Sequence, residues 1–268
     1  MNLKILFPFL CCAITFSFGQ SPSLLDKQLE KDRISSEFTE LYQLTTAIHP
    51  GQYMYCSEKE FDKTYFELKN SIKNDLSIVD YYKLTATLMA KVKDGHTAVD
   101  RGLLTTLLKE KLVFPFRIYQ IKNHYYFDHS IKENKEYTGL QILKINGKDI
   151  HSVVKNIKKY IHLEGRNETG LNTRFKYFPF YYYLDDQAEK FEVEFIDQQH
   201  QKQKVVFNGI TFDRFTKSTV ENIPPLTTEI RADNIAVLTF HSFENGYNEA
   251  DRKLEQNKLD LFLQSLTA

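Results

Sequence analysis

The group in this chain best suited to moving protons is a histidine set in a glycine turn, Asp94-Gly95-His96-Thr97. An imidazole titrates near pH 6.5, which is where a general base must work, and Asp94 is near enough in sequence to orient His96. The same four residues read equally well as a capped turn, with His96 hydrogen-bonded to neighbouring backbone. Elsewhere the candidates are thin. His124 and His129 lie in one hairpin region without a third ligand, so they read as surface residues. His241 follows an apolar strand and falls at a sheet end. Cys56 has no base near it in sequence and reads as a small buried hydrophobe. A glycine-rich phosphate loop, a His-Glu-x-x-His helix, paired cysteines and a Gly-x-Ser-x-Gly elbow are all missing from the sequence. Neither a metal nor a cofactor is expected.

These residues need a frame, and composition bounds it. The chain has 268 residues, 42% hydrophobic and 14% aromatic, enough to bury a core in more than one folded unit; disordered, collagen-like and coiled-coil classes are excluded. Thirty-five basic side chains balance 35 acidic ones, so the sequence has no overall charge with which to attract nucleic acid or an anionic membrane. Lys4 followed by an apolar or small run from Ile5 to Phe18 reads as a signal peptide over residues 1–19, cleaved before Gln20. That run is shorter than the ~20 residues a spanning helix needs, and no later segment is more apolar. The protein is therefore expected to be exported, periplasmic or extracellular. Once the signal is removed, Cys56 is the only cysteine and no intramolecular disulfide is available.

Periodicity then divides the chain. Ile34, Phe38, Leu41, Leu44 and Ile48 mark one helical face ended by Pro50-Gly51. Ser57 with Glu60 is a capping-box start, with Phe61, Tyr65, Leu68 and Ile72 on the stripe behind it. Ser77 with Asp80 caps a third helix with a Tyr81, Leu84, Leu88 and Val92 face, and Asp94-Gly95 supplies a left-handed stop. From Val113 the period becomes two. Val113 to Ile121 and His124 to Asp128 form a hairpin, and Gly139 to Gly147 is a strand closed by Asn146-Gly147. A helix through Ile150, Val153, Val154, Ile157 and Ile161 follows. Hairpin, strand and helix in this order are those of a PDZ-like module, whose strand edge and helix make a groove for an extended peptide. Gly139, Leu140, Gln141 and Ile142 are the expected substrate-binding residues. The dense aromatics from Tyr177 to Tyr183 read as packing between two units. Phe191 to Ile196 and Val205 to Ile210 make another hairpin. Ile235 to Phe240 reads as a strand buried on both faces, followed by a helix from about Ala250 to Leu266.

Five segments fall in a recognisable register: Ile48-His49-Pro50, Val92 to Thr97, Phe114-Pro115-Phe116, Gly139 to Gly147, and Ile235 to Phe243. Together they resemble the amino-terminal two-thirds of the C-terminal processing, or tail-specific, serine peptidase family, in its tricorn-like secreted bacterial branch. The resemblance implies a multidomain α+β protein. Its parts would be a helical cap at 20–110, a PDZ-like domain at 111–222 and the beginning of an α/β, ClpP/crotonase-like core at 223–268. It also implies a peptide or protein substrate, a serine nucleophile and His96 as the general base. The family's Asp-Leu-Arg-x-Asn-x-Gly-Gly segment and its serine are not in these residues, and Ser242 and Ser265 lack the glycine-rich setting of an oxyanion hole. The expectation is a truncated peptidase, inactive alone. The alternative is a noncatalytic peptide-binding protein that uses the PDZ-like groove.

Overall fold

The computed structural model describes residues 24–130, 132–218, 226–233, 235–241 and 249–265. The signal-peptide expectation, Pro224-Pro225 and Ser242 lie outside them. Among the described residues no helix is long and apolar enough to cross a membrane. The fold is mixed helix and sheet. It divides into two compact units after Phe215, so the helical block and nearly all of the β-rich block belong to one unit.

The first unit opens with strand β1 (Gln28–Leu29) and helices α1 (Lys31–Ile48) and α2 (Glu58–Ser71), followed by β2 (Leu76–Ser77), α3 (Ile78–Ala90) and α4 (Gly102–Leu107). Local chemistry sets the helix starts. The Ser57 hydroxyl accepts from the Glu60 N–H while Glu60 reaches back to the Ser57 N–H, and Ser77 accepts from the Asp80 N–H. Ile34, Phe38, Phe61, Tyr65, Leu84, Leu88 and Val92 close a core between α1, α2 and α3, with Cys56 buried among them. Leu44 and Ile48, expected on that face, are exposed, while Thr45 between them is buried. Helix α3 buries two faces. Val79, Tyr82 and Ala86, on the side away from Leu84 and Leu88, belong to the larger core formed with the sheet.

That sheet is antiparallel. After β3 (Leu112–Val113) come β4 (Phe116–Ile121), β5 (His124–Ser130), β6 (Gln141–Ile145), β7 (Lys148–Asp149), β8 (Lys190–Ile196) and β9 (Lys202–Asn208). Their order is β4-β5-β6-β8-β9, with β7 turning back on β6. Asn146 and Gly147 both have positive φ, as a two-residue hairpin turn requires. The Asn146 side chain accepts from the Glu192 N–H and ties the turn to β8. Helix α5 (Ile150–Ile157) buries Ile150, Val153, Val154 and Ile157, then tightens into a short 3-10 turn over Lys158–Tyr160. Helices α6 (Leu171–Phe175) and α7 (Phe178–Asp185) follow, then β10 (Ile210–Thr211), paired to β3. The aromatic run forms α7, buried from Phe178 to Leu184. It lies inside one continuous core and joins α3 to the sheet: Phe180 meets Tyr82 edge-on, and Phe178 meets Phe114. Helix α8 (Phe212–Ser218) carries the chain across the boundary.

In the second unit β11 (Leu226–Ile230) pairs antiparallel with β12 (Ala236–Phe240), and α9 (Glu249–Ser265) follows. This corrects the expectation of a strand buried on both faces. Ile235 and Phe240 are about half exposed, because a continuous apolar run carries no signal of which partner it will find.

Candidate functional site

The turn after α3 is built around the Asp94 carboxylate. Its Oδ1 accepts from the His96 backbone N–H at 2.8 Å, and its Oδ2 accepts from the Thr97 hydroxyl at 2.8 Å. The same Oδ2 lies 3.1 Å from His49 Nε2, which is also 2.8 Å from Thr97 Oγ1. His49 Nδ1 accepts from the Gly51 N–H at 3.2 Å, so the ring proton sits on Nε2 and is donated into this cluster. These donors, the His96 N–H foremost, hold Asp94 down at about 2, ionised across the working pH range.

A second set of contacts fixes the turn from outside. The Gly95 N–H donates to Glu164 Oε2 at 2.8 Å, and Arg174 Nη2 donates to the Gly95 carbonyl at 3.3 Å. A side chain at position 95 would come within 3.0 Å of Glu164 Oε2, so the glycine provides room for that carboxylate. The left-handed residue expected at Asp94-Gly95 is instead Lys93, with φ of 58°, whose carbonyl accepts from the Gly165 N–H. Long-range pinning of the loop, rather than glycine's conformational freedom, therefore places the bend.

The His96 imidazole stands out from this scaffold. Its side chain is 96% exposed, and its Nδ1 lies 3.6 Å from Asp94 Oδ1. The His96 backbone is held by Asp94, while the ring itself makes no hydrogen bond among the described residues and faces solvent. Asp94, His96 and Glu164 also bring ligand atoms within 4.8 Å of one another, although both carboxylates are already bonded to backbone N–H groups.

No protein-family model matches the chain, and no curated protein does. Solved structures of CPAF are similar in backbone. Mature CPAF covers 78% of this chain and 46% of its own at 10% identity and a TM-score of 0.48. Mature CPAF complexed with lactacystin covers 67% and 35% at 10% identity and 0.47. A CPAF point mutant covers 67% and 34% at 8% identity and 0.49. The likeness is distant, and the chain spans less than half the length of these CPAF chains.

The other expected site residues lie on the sheet. Gln141 and Ile142 line a cleft of about 230 Å³ with His124, Lys144, Asp149 and His151; Gly139 and Leu140 do not reach it. Both sides of β6 are occupied: β5 and β7 flank one edge and β8 the other, while the Gly139 and Leu140 N–H groups donate to Phe127 and Tyr137 carbonyls. The outer strands of the sheet are β4 and β9, and Asn172 already pairs with both backbone groups of Gln120 on β4. The His124 ring lies 3.1 Å from the Gln141 side-chain amide, and the side chain of His129 lies outside the described residues. His241 follows β12 directly and meets Thr227 across the hairpin at 3.0 Å.

Sequence reading missed the supporting residues His49, Glu164 and Arg174, and also His162. No local pattern marks them, since they come to the turn from 45 to 79 residues away. Half-buried His162 is held down at about 4 from its ordinary 6.5, first by burial and then by the Arg174 and Arg101 guanidiniums. Because the unfolded chain takes up this proton first, stability should be complete above about pH 6.5 and fall as the pH drops towards 4. Urea unfolding at pH 5 and pH 7.5 checks this. His162→Leu should remove most of the difference, and an undiminished difference would assign the acid loss elsewhere.

Proposed function

We propose that this chain belongs to a secreted serine-type peptidase of the tail-specific family, in its tricorn-like branch. His96 is the general base, and the serine nucleophile comes from polypeptide outside these 268 residues. In this reading residues 20–110 are the helical cap, 111–222 the PDZ-like part and 223–268 the start of the core. The observation that carries the proposal is the exposed His96 ring on a turn held from both sides by Asp94, His49, Glu164 and Arg174. A general base needs an anchored backbone and an accessible nitrogen; the His96 N–H is anchored on Asp94 and its ring is exposed. In this reading His49, with Nε2 turned to Asp94 and Thr97 and Nδ1 accepting from the Gly51 N–H, serves as a support of the turn.

In the reaction His96 would take the serine proton as the hydroxyl attacks the peptide carbonyl, then return it to the leaving amine. Asp94, ionised throughout, would stabilise the imidazolium that forms between the two steps. Joining this chain to the serine-bearing core of a full-length family member should produce hydrolysis of unfolded peptide substrates, while this chain alone should show none. A joined protein that folds and hydrolyses nothing would refute the proposal.

A further inference from the structure

The chain is neutral as a whole, but one cleft is strongly positive. About 470 Å³ in volume, it opens where α3 and α5 end and is lined by Lys91, Lys93, Lys155, Lys158, Lys159 and Arg166. Its single carboxylate, Glu168, is taken up by Lys158 at 2.6 Å. Lys91, Lys93, Lys155 and Arg166 make no ion pair among the described residues. Cations at helix carboxyl ends offset the helix dipole, which accounts for Lys91 and Lys155. It does not account for Lys93 and Arg166, which sit on loops and bring two more positive charges to the same space.

The cleft is also rigid. The Gly165 N–H donates to the Lys93 carbonyl at 2.8 Å and locks its two loops together. Gly165 has φ of 57°, and a side chain there would meet the Tyr55 ring at 3.0 Å. Unpaired cations on a fixed concave wall concentrate positive potential and favour an anionic ligand.

We infer that this cleft binds an acidic peptide segment. The donors are chiefly long lysine arms distributed around the cleft, above a floor that includes Ala90, Ile161 and Leu163. An extended chain of glutamates or aspartates matches this: its carboxylates are spaced along the backbone and its aliphatic stems can lie on the apolar floor. Lys93 is three residues from His96, so a bound segment would lie beside the candidate base. The inference rests on the cleft alone, and its test requires no catalysis.

Fluorescence anisotropy of a labelled peptide with four successive glutamates, set against the same peptide with glutamines, tests it on this chain. The glutamate peptide should bind about tenfold more tightly at ~50 mM salt and lose most of that advantage at ~300 mM. Lys91→Gln/Lys155→Gln/Arg166→Gln alters three exposed side chains, should melt like the parent, and should abolish the preference. Equal binding of the two peptides, or an unchanged preference in the triple variant, would overturn the inference. So would displacement of the peptide by inorganic triphosphate or single-stranded RNA at lower concentrations than by unlabelled peptide, which would mark a phosphate site.

Discussion

Phe114→Ala should destabilise the first unit by about 4 kcal/mol, seen as a large drop in the urea midpoint. The ring is fully buried where the sheet meets α7. It packs edge-on against Phe178, Tyr182 and Phe191 at 5.4 to 6.0 Å and tilted against Phe116 at 5.4 Å. Removing it leaves a cavity whose walls belong to β4, α7 and β8, elements that cannot collapse together without breaking β-sheet pairing. The aromatic contacts add to simple burial. Such a loss is a large fraction of the ~5–15 kcal/mol stability of a typical domain, so the variant should also express poorly. A loss below ~1 kcal/mol would mean that α7 is not the pillar of this core.

In the peptidase proposed above, made by joining this chain to the serine-bearing core of a full-length family member, His96→Ala should lower kcat by about 10²- to 10⁴-fold with little change in KM. The ring is almost fully exposed, and the turn is held through the His96 backbone N–H, which alanine keeps. Lost activity would therefore report the imidazole itself and not a collapsed loop. Thermal melting should be unchanged, which separates a chemical role from the capped-turn alternative. Asp94→Asn should behave differently. It removes the carboxylate that receives His49, Thr97 and the His96 N–H, so it should lower melting temperature and activity together.

What the sequence made legible was local chemistry. Ser57 with Glu60, Ser77 with Asp80 and Asn146-Gly147 each act within four residues, and each appears where the pattern places it. The hairpin around Lys122-Asn123 follows for the same reason, while the one after Ile196 closes on a tighter turn than the pattern suggests, since polar Lys202 to Lys204 already pair in β9. The second buried face of α3 was not legible, because Val79, Tyr82 and Ala86 become core only once α7 arrives from a hundred residues away. The antiparallel partner of β12 was likewise hidden. At the candidate site the motif was visible in one stretch, but its supports were not: His49, Glu164 and Arg174 have no spacing relation to His96 that chain pattern could reveal. Lys93 in the left-handed region illustrates the limit. A lysine has no intrinsic preference for that conformation, and the bond from Gly165 to its carbonyl is a tertiary fact.

The most direct test of the peptidase reading is the rate at which a fluorophosphonate labels the joined enzyme, since that reaction needs an activated serine and no peptide binding. The parent should label within minutes at neutral pH. With His96→Ala the rate should fall by about a hundredfold while the melting temperature holds. Labelling of the His96→Ala enzyme at the parental rate would show that the serine is activated by another group, and would contradict the account.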